Sequence, residues 1–430
     1  MMTSSHTPSP RSMNTSANAL FLYCFMAYAV SYIGRQNLSA CLPAIMSDGL
    51  MDKAWGGYIA TAYMLCYGAG QLINGWSGTR IKPQYMIGTG LLGAGIMNIL
   101  MGCLTSPWLM MAVWSGNGLC QSMLWAPIIR VFTDRLPAER RYSAGVNIAT
   151  SIPVGTVLAY LIPGILLKFT SWRVVFFASG GVLLVAFLIW SVGHMHLADY
   201  IRHMDEICLK ERSTLVQNPK GDTTASPKPS LIWAILSTGI LLVLPCIFCN
   251  GALKDAMTAW IPTFFAERFG MDESGASLMT VIVPVVSVSG AYVSTWINKK
   301  WLGNELRTSS VMFLLAVVCL LGVAVGGEAS SVVSAICLAV CISAMWGANT
   351  MFLTMLPYHF AKLNLSSAVT GFLNCFAYFS SAVFTSVYGG LAGSVGWHIL
   401  VWVWLGIGVC GMAMCLVAGK VWVGKRQILE

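Results

Sequence analysis

The sequence predicts an all-α membrane protein of twelve transmembrane helices in two pseudo-symmetric six-helix bundles. Three observations carry that prediction. Of 430 residues 57% are hydrophobic and 10% charged, whereas soluble domains carry about 25% charged residues. Apolar stretches long enough to cross a hydrocarbon slab of ~30 Å recur from end to end. Features of the first half also return in the second at an offset of 219 to 225 positions. A β-barrel is excluded, because the runs are continuously apolar and lack alternating hydrophobicity.

Taken in order, residues 1–16 are Ser, Thr and Pro with one Arg. They read as a disordered cytoplasmic tail, since no short apolar segment with a cleavage site follows. The N-terminal bundle, 17–194, holds spans at 17–45, 54–78, 84–104, 107–132, 143–167 and 173–194. Residues 195–229 form the one long polar stretch, with charges, Pro219, Pro227 and Pro229, and read as a cytoplasmic linker. The C-terminal bundle, 230–419, holds spans at 231–265, 275–297, 307–326, 331–356, 367–391 and 395–419, before a tail at 420–430. Pro127, Pro153, Pro163, Pro245, Pro262 and Pro284 fall within spans and predict kinks, which polytopic helices tolerate. Glycine-dense "GTGLLGAG" (88–95) predicts close helix approach.

The net charge of +9 is topology and not affinity for nucleic acid. With the N-terminus inside, nineteen Lys and Arg fall in inner segments and only Lys53, Lys168, Arg173 and Arg268 in outer ones. That asymmetry predicts both termini in the cytoplasm. The fourteen cysteines lie nearly all in apolar runs without CxxC or Cys/His spacing. They read as small buried hydrophobes, with no disulfide framework and no metal site.

Two cations remain inside spans, Arg35 and Lys254, 219 positions apart. Trp76 and Trp296 are 220 apart, and Trp172 and Trp397 are 225 apart. Solenoid repeats are ~20–50 residues long, so this period describes duplicated halves. In such transporters substrate sites lie near the midplane, between the repeats. An arginine at a helix centre costs ~2.5–3.5 kcal/mol on insertion scales, so Arg35 must face protein or a water-filled cavity.

Tyr28, Tyr32 and Arg35 stand at i, i+4 and i+7 on one helix face. Two phenols and a guanidinium make a donor-rich stripe suited to an oxyanion, which Arg binds in bidentate fashion. The competing reading has Arg35 snorkelling to the interface or pairing with an acid, but snorkelling leaves the tyrosine stripe unexplained. In "GALKDAMTAWIPTF" Lys254 is the second cation and Asp255 its neighbour. Adjacent helical side chains diverge, so Asp255 is not expected to neutralise Lys254. A structural ion pair with some other group is the simpler role for Asp255, and a proton carrier the other.

Further polar or aromatic candidates are Tyr63, Tyr67 and Gln71; Asn117, Gln121 and Trp125; Asn147 and Thr150; Trp260; Asn349; Asn374 and Tyr378. For each of these, helix-packing hydrogen bonding competes with substrate contact. There is no P-loop, HExxH or partnered GxSxG. An enzyme is not expected, nor a cofactor.

At "Y28-xxx-Y32-xx-R35-x-N37" the chain resembles the organophosphate:phosphate antiporter family of the major facilitator superfamily, the glycerol-phosphate and hexose-phosphate transporters among them. The likeness extends to "NGLCQSMLWAPIIR" (117–130), "GWSGTRIKPQY" (75–85), "AWIPTFF" (259–265) and "GFLNCFAYFSSAVFTSVYGGL" (371–391). It implies that Arg35 and a seventh-span cation, here Lys254 where the family has arginine, bind the substrate phosphate together. Alternating access then exchanges it for inorganic phosphate.

Three departures stand out. Gln71 occupies the place of a second-span lysine, Thr150 that of a fifth-span histidine, and Thr79 that of a loop acid. The pocket exchanges cations for neutral groups. A phosphate monoester carries about −1.5 to −2, so a monoanion, or an organophosphate held by fewer charges, is expected. "RQNLSACLPAI" also resembles proton-coupled sugar-acid symporters, although Gly34 stands where those have an acid.

The sequence therefore predicts a secondary active transporter of a small organic anion. A proton-coupled carboxylate symporter and a non-transporting sugar-phosphate sensor are the alternatives. Expected partners are the anion, a counter-ion (phosphate or proton) and the bilayer of a bacterial inner membrane. A monomer is expected.

Overall fold

The computed structural model describes residues 10–77, 81–217, 240–326, 330–360 and 366–426. Among them ten helices are long and apolar enough to cross a membrane. Lys53–Ser77 and the broken helix at 107–135 complete twelve spans. Both fall short in apolarity because they carry central polar groups: Tyr63, Tyr67, Gln71 and Asn74 in the second span, Asn117 and Gln121 in the fourth. An even number of crossings places both chain ends on one face, here the terminal face; the opposite is the far face.

Several spans bend where proline dictates. A proline ring removes one amide donor and clashes with the carbonyl four residues earlier. The fourth span opens at 122–124, ahead of Pro127, and the fifth tightens into a 3-10 turn at Ile148–Thr150, ahead of Pro153. The seventh starts from a 3-10 turn at Ile240–Leu242, ahead of Pro245. The eighth interrupts at Val281, ahead of Pro284.

In the first bundle, span one packs on five and six, three on four and six, and two on four. In the second, eight packs on ten, nine on ten and twelve, and seven on eleven and twelve. The halves meet through two against eleven, five against eight, and one against seven. Shifting each number by six maps the first pair onto the second and the third onto itself, the pseudo-two-fold that the 219-residue offset predicts. The expected close approach also forms: a β-carbon on Gly95 or Gly180 would crowd the other's carbonyl oxygen and the Leu184 or Ile99 side chain, so neither position has room for one.

Two boundaries differ from expectation. The first helix is Pro10–Ser47, so residues 10–16, expected within a disordered tail, are helical. Of the polar stretch expected as a linker, Ala198–Gln217 is a helix. It is docked on the first bundle by buried Arg135, whose Nε donates to Asp205 at 3.0 Å, while the Tyr200 hydroxyl donates to the Arg135 carbonyl at 2.8 Å. Low mean hydropathy marked this stretch as extramembranous, but an amphipathic helix held by an ion pair to a buried arginine needs no more. Thr79, Arg80, Lys362, the prolines at 219, 227 and 229, and residues 231–239 of the expected seventh span lie outside the described residues. The thirteen cysteines whose side chains are described are free.

Candidate functional site

Arg35 is aimed by the carbonyl next to it. The Gly34 carbonyl accepts from Asn98 Nδ2 at 3.0 Å and Asn117 Nδ2 at 2.9 Å, and one turn earlier the Ser31 carbonyl accepts from Gln121 Nε2 at 3.0 Å. Gly34 has no space for a side chain, since a β-carbon would overlap Leu183 and the Asn98 amide. Three amides on spans three and four thus fix the rotation of span one.

Arg35 then meets aromatic faces. Its guanidinium carbon lies 4.6 Å from the Tyr67 ring centroid, 5.3 Å from Tyr32 and 5.8 Å from Tyr63. Tyr28 extends the cup, 5.5 Å from Tyr32 and 4.9 Å from Trp125. Among the described residues Arg35 makes no ion pair, and its Nε is buried without a hydrogen-bond partner. Cation–π contact offsets about 2 kcal/mol at a desolvated site, less than the effective penalty of several kcal/mol for burying an ion. The guanidinium keeps unused donors.

The second cation is placed differently from expectation. Residues Ala252–Ala256 form a π-turn, a widened turn frequent at functional sites. It brings neighbouring side chains together, so that Lys254 Nζ lies 3.0 and 2.9 Å from the two Asp255 oxygens. Asp255 therefore neutralises Lys254, against the expectation from regular helix geometry. Ser381 Oγ of span eleven donates to Asp255 Oδ2 at 3.1 Å, and the Trp346 ring of span ten lies 4.3 Å from Lys254 Nζ.

Tyr378 joins the two centres. It packs at 5.3 Å across the halves on Tyr67, the ring nearest Arg35, and three residues further along the same helix Ser381 holds Asp255. Arg35, Lys254, Asp255, Tyr28, Tyr32, Tyr67, Trp125 and Tyr378 thus assemble around one place.

The other candidates do not all join it. Asn117 and Gln121 spend their amide donors on span-one carbonyls. Trp260 Nε1 donates to the Thr385 carbonyl at 3.0 Å and is a far-side packing residue. Thr150 is exposed on the terminal side, its hydroxyl on the Asn147 carbonyl. Gln71 and Asn374 are half-buried, without a hydrogen bond among the described residues. Ser381 and Trp346 were not expected. A signal for Trp346 existed, since it follows Trp125 by 221 positions and caps a site group in its own half as Trp125 does.

The halves are joined tightly on the far side of this site. Lys53 pairs with Glu267 at 2.7 Å, and Trp397 Nε1 donates to the same carboxylate at 2.6 Å. Thr61 Oγ1 donates to the Ala382 carbonyl at 2.7 Å, Ser39 Oγ to Ala259 at 2.5 Å and Ser277 Oγ to Tyr160 at 2.8 Å.

Comparison with known proteins places this geometry in context. The model of the Major Facilitator Superfamily matches residues 24–386. The chain is 22% identical to the membrane sensor protein UhpC of Escherichia coli (strain K12), over 85% of this chain and 83% of that protein. It is 22% identical to a probable hexose phosphate transport protein of Chlamydia trachomatis, over 88% and 86%. It is 23% identical to the probable sulfoacetate transporter SauU of Cupriavidus necator, over 69% and 68%. Among solved structures, a bacterial homolog of the human lysosomal transporter Spinster, inward-facing and unoccupied, superposes with a TM-score of 0.71 at 14% identity, covering 96% of this chain and 97% of that one.

Proposed function

The chain belongs to the Major Facilitator Superfamily, and from that premise we propose that it is a secondary active transporter of small organic anions, with Arg35 as the anchor. The observation that carries this reading is the guanidinium held in a tyrosine cup with donors to spare. A bidentate oxyanion satisfies such a fork, and the surrounding rings exclude water and strengthen the contact. Tyr67 and Tyr378, one from each half, give the anion a means of drawing the halves together. A ligand that binds one state better shifts the population toward it.

The far-side seal supports a carrier open toward the terminal face. The basic-residue asymmetry supports a cytoplasmic assignment of that face, and the bacterial relatives support an inner membrane. We take the carrier to be a monomer, since each chain has both halves of the site. Relatives named as carriers of hexose phosphate and of sulfoacetate frame the substrate class as organophosphates or related organic acids, with phosphate or a proton as counter-ion.

The test is uptake by proteoliposomes. Arg35→Gln is expected to fold normally and lose anion exchange by at least about a hundredfold, the scale of ~3 kcal/mol for a charge-assisted contact. Normal uptake by that variant would falsify Arg35 as the anchor. A second reading, a sensor that binds without flux, is favoured by the likeness to a membrane sensor protein. Saturable ligand binding by purified protein, with no exchange in vesicles, decides for it.

A further inference from the structure

We infer that the incoming anion displaces Asp255 from Lys254 and that Asp255 takes up one proton as it does so, so that each anion moves with a proton; this rests on the transporter reading above. The chemistry of the pair leads there. Lys254 is buried and has Asp255 as its counter-ion, with Trp346 against the ammonium. An anion that reaches Lys254 therefore arrives beside a carboxylate. Two like charges sharing one site raise the proton affinity of one of them. A proton on Asp255 removes the repulsion and releases the ammonium.

The surroundings accept both protonation states. With Asp255 ionised, Ser381 Oγ donates to it at 3.1 Å. The same hydroxyl lies 2.9 Å from the Ala377 carbonyl. Once Asp255 is protonated, Ser381 turns its hydrogen to Ala377 and accepts from the carboxyl, since a hydroxyl is both donor and acceptor. The Asp255 side chain is 24% exposed against 9% for Lys254, so the proton comes from water at the exposed side of the carboxylate, and returns to water with the anion.

The groups against the pair are Ser381 from span eleven and Trp346 from span ten, and Tyr378, three residues before Ser381 on the same helix, leads through Tyr67 to Arg35 of span one. From span twelve, Gly408 approaches Leu253. Arg35, Lys254 and ionised Asp255 leave one net positive charge in the empty site. A monoanion accompanied by a proton leaves the same net charge, so loaded and empty carriers cross with equal electrostatic burden. A dianionic phosphate monoester would cancel it. The preferred cargo is therefore a monoanionic organic acid.

The experiment uses the whole protein in proteoliposomes containing a trapped pH dye, with inorganic phosphate, glucose 6-phosphate, sulfoacetate and gluconate as probes. With an inside-alkaline gradient, a monoanion carried in net with its proton is expected to accumulate about tenfold per pH unit while the interior acidifies. Its KM falls as pH falls in the wild type. In Asp255→Asn the KM no longer depends on pH and the gradient drives nothing. Lys254→Gln/Asp255→Asn, which strands no charge, guards against a folding defect, and the wild-type dye signal needs no variant. Exchange that ignores pH, with no interior acidification, overturns proton coupling and leaves the transporter reading standing. Absence of flux with every probe removes the transporter reading itself.

Discussion

At the residue scale, the ring of Tyr67 matters to Arg35 more than its hydroxyl does. The centroid lies 4.6 Å from the guanidinium carbon, close enough for a cation–π contact of about 0.5–2 kcal/mol. Tyr67→Phe keeps the face and is expected to change the KM for anion exchange by less than about threefold. Tyr67→Ala removes it and should raise KM by about 2- to 30-fold, the same energy expressed as affinity. Equal effects of the two substitutions would show that the phenol hydroxyl binds substrate directly. Asn117 reaches the same site indirectly. Its amide holds the Gly34 carbonyl, and interhelical bonds of this kind are worth about 0.6 kcal/mol on average, at most about 1.7. Asn117→Ala should therefore lower the melting temperature and leave KM within about twofold. A tenfold rise in KM at unchanged melting temperature would restore Asn117 to the substrate shell.

At the scale of the element, the π-turn at Ala252–Ala256 decides the chemistry of the second half. In a regular helix Lys254 and Asp255 would point apart, and the site would hold two free cations. In the wider turn they meet at 2.9 Å, and the site has one free cation and one contested one. Much of the candidate site was legible in the residues: a tyrosine stripe with a terminal arginine identifies a helix face by spacing alone. The paired lysine was not, because a π-turn depends on how span seven packs against spans ten and eleven. The amides of Asn117 and Gln121 stayed open between packing and substrate contact for a related reason. Sequence shows that an amide lies in a membrane span, but only the neighbouring helix shows whether a carbonyl is there to receive it.

For the whole molecule, the far-side seal sets which way the site opens. Lys53 and Glu267 join the first bundle to the second at 2.7 Å, and both side chains are partly exposed. An exposed pair contributes about 0.2–1 kcal/mol, so losing it shifts the balance between the two states by up to about fivefold. Lys53→Ala and Glu267→Gln should each speed labelling of Thr61→Cys, at the same interface, by a membrane-impermeant thiol reagent, to that extent. The double reversal Lys53→Glu/Glu267→Lys should restore the slow rate. Unchanged labelling in all three would assign the seal to the hydroxyl–carbonyl bonds of Ser39 and Ser277 instead.

The sequence by itself determined the class, the twelve crossings, the duplication and the cation of the first half. Each follows from local chemistry: segment length against bilayer thickness, repeated spacing, and the cost of burying an arginine. Tertiary structure alone decided that Lys254 is already paired, which amides hold helices together, and which face is sealed. Those outcomes depend on what stands opposite a side chain after twelve helices have packed, and no single segment carries that information.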